Sequence, residues 1–139
     1  MSHDEGVVEK TVRIAARPET VWRYWTEPER MCAWWGAAAE LDPRPGGACV
    51  VEMVGGPVMR GEYVELVPNE RLRYKDQFED PNLPGEIHVT VTLRPVSVGT
   101  ELNIVQEGLP DVIPLEACYL GWQDSLQNLA KLVEPEIDK

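Results

Sequence analysis

The stretch IPLEACYLGWQDSLQNLAKLVE, residues 113–134, is the only long segment with sustained helical periodicity, and it limits what the rest of the chain can become. Leu115, Cys118, Tyr119, Trp122, Leu126, Leu129 and Val133 recur every three or four positions, which gathers them on one stripe of an α-helix. Glu116, Gln123, Gln127, Asn128 and Lys131 fall on the other side. Pro114 suits a first helical turn, where its missing N–H is not needed, and Pro135 stops the run. At about 1.5 Å per residue the helix is roughly 30 Å long, the width of six or seven strands spaced about 4.8 Å apart. A striped rod of that length needs a broad apolar surface to lie on.

The 139 residues, 43% of them hydrophobic, read as one soluble domain spanning 1–139, large enough for a core and a cavity. The polar start, MSHDEGVVEK, has no secretory h-region, and no apolar run approaches the eighteen or so residues needed to cross a bilayer, so a cytoplasmic location is expected. Thirteen basic against twenty-four acidic side chains give a formal net charge of −11, which repels phosphate backbones and anionic lipid surfaces. Nucleic acid and membrane are therefore excluded as partners. Cys32, Cys49 and Cys118 are far apart, and with only His3 and His88 beside them they show no metal-ligand spacing. Free buried thiols and no metal are the expectation.

Upstream of the helix the period changes twice. VVEKTVRIAA alternates and ends before Pro18, a first strand. RPETVWRYWTEPERMCAWWG then spaces Val21, Trp22 and Trp25 as a short helix, broken by Pro28, with PERMCAWW as a second short helix stopped by Gly36. From Ala37 onward the period is two: a weak strand in AAAELDP, a strand in GACVVEMV, a Gly55-Gly56 hairpin, PVMRGEYVELVP, a turn at Asn69-Glu70, and ERLRYKDQFE. EIHVTVTLRPV is the cleanest alternation, with Ile87, Val89, Val91 and Leu93 facing one way and His88, Thr90, Thr92 and Arg94 the other; TELNIVQEG follows. Short connections imply an antiparallel meander, so the fold class is α+β, a curved sheet of six to seven strands wrapped around the terminal helix.

Several spaced motifs carry a family resemblance across nearly the whole chain. RIAARPETVWRYWTEPERMCAWWG, PGGACVVEM, GEYVELVPNERLRY, and VTVTLRPVSVGTELNIVQEGLP leading to Gly121-Trp122 and an L-x-x-L pair resemble the START-like, or SRPBCC, superfamily. Within it they are similar to the C-terminal domain of the activator of heat-shock protein 90 ATPase. The resemblance implies the helix-grip fold, which in that superfamily carries ligands, performs chemistry or docks on other proteins.

A curved sheet closed by one helix leaves room between the two, and small-molecule sites are mostly apolar with a few polar anchors. The candidate lining is Trp34, Trp35, Met53, Tyr63, Tyr74, Phe78, Tyr119 and Trp122, with Leu115 and Cys118 near the mouth. Two adjacent indoles do not share one helix stripe, so either Trp34 or Trp35 is expected to border an opening. No nucleophile beside a base is visible, so no catalytic residue and no cofactor is assigned. Three functions follow in order: a binding module for a small apolar or amphipathic ligand; a cavity enzyme of the cyclase or hydrolase sort, using Glu107 or Glu52; and a co-chaperone-like docking protein. The last ranks lowest because the eukaryotic activator uses a separate N-terminal domain, and this sequence reads as one domain. A homodimer is left open.

Overall fold

The computed structural model describes residues 7–35, 38–52, 58–78, 86–97, 99–109 and 115–134, apart from the side chains of Gln77, Phe78, Leu115 and Ala117. Seven strands form one antiparallel sheet in the order β1-β7-β6-β5-β4-β3-β2. They are β1 (Val8–Ile14), β2 (Ala38–Leu41), β3 (Ala48–Glu52), β4 (Val58–Val67), β5 (Arg71–Phe78), β6 (Ile87–Val96) and β7 (Gly99–Glu107). Strands β2 to β7 follow one another as neighbours, and β1 closes the far edge beside β7. The helices are α1 (Pro18–Thr26), α2 (Pro28–Met31) and α3 (Leu115–Val133). This is the helix grip the sequence pattern calls for. No helix among the described residues is long and apolar enough to cross a membrane.

Strand alternation decides which side chains meet α3. On β6, Ile87, Val89, Val91 and Leu93 are buried and His88 is exposed, as the two-residue period requires. Their partners across the ladders continue the inner face: Leu102 and Ile104 on β7, Leu72 and Tyr74 on β5. The same row on β5 runs one step further, to Asp76, which stands opposite Ile87 on one side and Gly61 on the other. A Cβ at Gly61 would strike the Lys75 carbonyl oxygen and come within 3.0 Å of the Asp76 Cβ, so glycine here lets β4 and β5 run close together at the end where Asp76 lies. At the other end of β5, Asn69 takes the left-handed conformation, φ 67°, that turns β4 into β5.

On α3, Trp122, Leu126, Leu129 and Val133 are buried. Those four side chains contribute on the order of 6 to 12 kcal/mol before chain entropy is counted, an upper bound. Helix α1 packs on β6, β7 and α3 through Val21, Tyr24 and Trp25, while α2 lies against β2. The second short helix stops earlier than the sequence pattern suggests, at Met31, and residues 32–35 form a turn. The backbone N–H groups of Trp34 and Trp35 both donate to the Met31 carbonyl, at 3.2 and 2.9 Å. That turn frees both indoles from a helix stripe. The expected stops at Gly36 and Gly55-Gly56 lie outside the described residues.

Candidate functional site

A cavity of about 280 Å³ opens between α3 and the end of the inner face where Asp76 lies. The sheet supplies Met59 from β4, Tyr74 and Asp76 from β5, and Gln106 from β7; the turn after α2 supplies Trp35; α3 supplies Cys118, Gly121, Trp122 and Ser125. A larger, open depression of about 630 Å³ lies at the other end of β5, around Glu70, Arg71 and Arg94. It is not under α3 and is lined by Glu19, Glu70, Arg71 and Arg94, whereas among the described residues Asp76 is the one charged residue lining the cavity under α3, so the latter is the better site.

Helix phase explains which flank of α3 faces the void. At about 100° per residue, Cys118, Ser125 and Gly121 fall to one side of Trp122, and Tyr119 and Gln123 fall to the other. A Cβ on Gly121 would meet nothing within 4 Å, so this glycine looks onto open space. On the opposite flank the Lys10 ammonium donates to the Tyr119 hydroxyl at 3.1 Å and to Gln123 Oε1 at 3.2 Å, which ties α3 to the edge strand β1.

Indoles build one wall. The Trp34 and Trp35 rings stack with centroids 5.6 Å apart, Trp25 meets Trp34 edge-on at 4.9 Å, and Trp35 reaches Trp122 at 5.3 Å. Trp34 Nε1–H donates to the Tyr24 carbonyl at 2.9 Å, which holds that ring in the core. Trp122 Nε1–H donates to Gln106 Oε1 at 2.9 Å, which fixes the Gln106 amide.

Asp76 sets the electrostatics. Its side chain is 3% exposed, Oδ1 is buried without a partner, and no ion pair or hydrogen bond reaches the carboxyl from any described residue. Burial alone pushes its pKa up from 3.8 to about 7, because no nearby cation favours the ionised form. The Tyr74 hydroxyl beside it on β5, 2% exposed by residue, is likewise buried and unpartnered. Burial also pushes Cys49 up to about 12 and raises Tyr63, Tyr74 and Cys118. These thiols and phenols stay neutral near pH 7, so Cys118 is no thiolate nucleophile. Among the described residues no cluster of His, Cys, Asp and Glu could hold a metal ion.

The candidate residues separate under this geometry. Trp35, Tyr74, Cys118 and Trp122 stand in the cavity wall. Trp34 and Tyr63 are buried beside it without lining it. Tyr119 is a correction: it is 39% exposed, because it sits on the flank of the stripe that faces Lys10. Met53 lies outside the described residues, as do the side chains of Leu115 and Phe78. Glu52 and Glu107, the carboxylates considered for proton transfer, are exposed and do not line the cavity. Asp76 was missed because KDQF reads as a polar strand end. The signal was its spacing: Leu72, Tyr74 and Asp76 are two apart on one face.

The architecture defines a helix-grip protein with a partly polar cavity under its terminal helix. Residues 15–134 match the family described as "Activator of Hsp90 ATPase homolog 1-like protein", and the chain belongs to that family. It is similar to a crystal structure of a protein from Chromobacterium violaceum, 43% identical over 94% of this chain and 98% of that one, TM-score 0.86. A protein from Mesorhizobium loti is 26% identical over 93% and 97% of the two chains, TM-score 0.84. The Aha1 dimer from Colwellia psychrerythraea shares the fold at 19% identity over 92% and 96%, TM-score 0.78. No curated protein matches the sequence.

Proposed function

We propose that this protein binds a small, mostly apolar molecule in the cavity beneath α3. The observation that carries the reading is the cavity itself: apolar and aromatic walls from Trp35, Met59 and Trp122, with two buried polar groups, on Tyr74 and Asp76, that no described side chain satisfies. Buried polar atoms are nearly always paired, and of the four unpaired ones among the described residues, two belong to residues of this wall, beside the Trp25 Nε1 and Tyr63 hydroxyl behind it. The cavity volume of about 280 Å³ equals about nine waters at about 30 Å³ each, which suits a compact ring compound better than a long lipid chain.

Gly121 offers the direct test. Gly121 is an exposed residue at the edge of the void, so in Gly121→Leu the new side chain meets no clash, the helix gains propensity, about 1 kcal/mol, and the leucine crowds the opening. Retained or raised Tm together with loss of binding of a hydrophobic fluorescent probe supports the reading. Unchanged probe binding in a folded Gly121→Leu protein overturns it.

A second reading, proton-transfer catalysis, has one observation behind it: the Asp76 carboxyl, at about 7, is suited to both accepting and donating a proton inside the cavity. A bound compound recovered chemically unchanged after long incubation with the wild-type protein, at the same rate as with Asp76→Asn, counts against it.

A further inference from the structure

We propose that the cavity selects a protonated amine on an apolar body, with the ammonium group seated between the Asp76 carboxylate and the Tyr74 hydroxyl oxygen. This rests on the binding reading above and narrows it to one ligand class.

Three observations converge. The first is the missing counter-charge: Asp76 is buried, no basic side chain stands among the described residues that line the cavity, and Arg60 and Lys75, which line an outer depression that Asp76 also borders, leave its carboxyl governed by burial alone. A buried carboxylate without a partner is costly, and a ligand cation supplies what the protein withholds. The second is the donor count. An ammonium group carries three N–H donors and no acceptor, while Asp76 Oδ1 and the Tyr74 oxygen, unpartnered and almost without exposed surface, can both accept from it once these side chains turn toward the void. The third is the wall itself, where Trp35, Tyr74 and Trp122 present aromatic surface of the kind that attracts cations, within a chain of formal net charge −11 that raises the local concentration of cations over anions.

Asp76 is also the group that changes charge on binding. Tyr74 on its own strand, Cys49 on β3, Tyr63 on β4 and Cys118 on α3 are all held neutral by burial. Lys75, Glu62, Glu86 and His88 pair with one another on the outer face, and Glu107 and Glu116 are exposed. Seating a cation favours ionised Asp76, so a proton leaves the carboxyl as the amine enters at neutral pH.

The experiment uses the full chain and four probes of one shape: 2-phenylethylamine, 2-phenylethanol, 4-phenyl-2-butanone and 3-phenylpropanoate, titrated by calorimetry at pH 8 and pH 5. The expected result at pH 8 is amine affinity at least about tenfold above the alcohol and ketone, the size of one charge-assisted hydrogen bond, with the carboxylate weakest. At pH 5, and in Asp76→Asn at either pH, the preference for the amine falls to about threefold or less. Buffers of different ionisation enthalpy report proton release at pH 7 in the wild type and none in the variant. Alcohol or ketone binding as tightly as the amine, or an amine preference that survives in Asp76→Asn, overturns the inference and leaves the binding reading standing. Failure of all four probes overturns both.

Discussion

The two ends of the inner face are built from the same strands and the same helix, yet one is solid and the other hollow. Where β5 begins, Leu72, Val91, Leu102, Leu126 and Leu129 are all essentially inaccessible, and two polar groups there are paired. The Thr100 hydroxyl donates to the Ala16 carbonyl at 2.7 Å, and the Glu134 carboxylate accepts from the Ala15 N–H at 3.1 Å, which pins the last turn of α3 to the end of β1. Where β5 ends, Tyr74 and Asp76 leave buried polar atoms unpaired around a void. The difference teaches that core closure and the proposed binding are divided along one helix, α3, whose second half closes the core while its first half roofs the cavity.

That division predicts opposite signs for substitutions at the two ends. Leu129→Ala removes a fully buried side chain from the solid end and costs about 2 to 5 kcal/mol, read as a lower midpoint in urea, with ligand affinity of the folded fraction unchanged. Asp76→Asn, at the hollow end, stabilises instead. The folded carboxyl is raised from 3.8 to about 7, so its contribution to stability is complete below about pH 4 and is lost as pH climbs to 7. The loss is at most about 4 kcal/mol, from about 1.4 kcal/mol per unit. Wild type and variant are therefore equally stable at pH 4, and the variant is the more stable at pH 8. Equal denaturant midpoints at pH 8 would mean that Asp76 finds a partner the geometry does not show, and the hollow end would be no less satisfied than the solid one.

The solid end was the more legible in sequence for the same reason. Ile87, Val89, Val91 and Leu93 on β6, and Trp122, Leu126, Leu129 and Val133 on α3, obey their periods because nothing but burial acts on them. The meander of β2 to β7 and its grip on α3 followed from those periods and the short turns, whereas the place of β1 beside β7 was not read from them. The cavity was legible only in part. Trp35, Tyr74, Cys118 and Trp122 announce themselves as large or soft side chains on inward phases, but Tyr119 shares that chemistry and is drawn aside by Lys10, a contact 109 residues away in sequence. Asp76 breaks the apolar pattern at the position where the pattern matters most. A reading that equates inward with apolar discards it.

A smaller effect sharpens the boundary between the two ends. Gly61→Ala places a methyl group against the Lys75 carbonyl and the Asp76 Cβ, so β4 and β5 must separate locally. The expected cost is about 1 to 3 kcal/mol, as for overpacking elsewhere, and ligand affinity falls with it because the wall that carries Asp76 moves. Loss of stability without loss of affinity would place the site away from this pair of strands.

The smallest effect tests the correction at Tyr119. Tyr119→Phe removes the hydroxyl that accepts from Lys10 and keeps the ring over which the ammonium sits at 4.8 Å. The bond is exposed, so the stability change is below about 1 kcal/mol. Ligand affinity stays within about twofold, because the ring lies on the β1 flank of α3 and the cavity on the Cys118 flank; a twofold change corresponds to about 0.4 kcal/mol. An affinity loss of about tenfold would mean that the helix turns on its axis when a ligand enters, bringing Tyr119 inward. The two halves of α3 would then move together, and the separation between a closing half and a roofing half would fail.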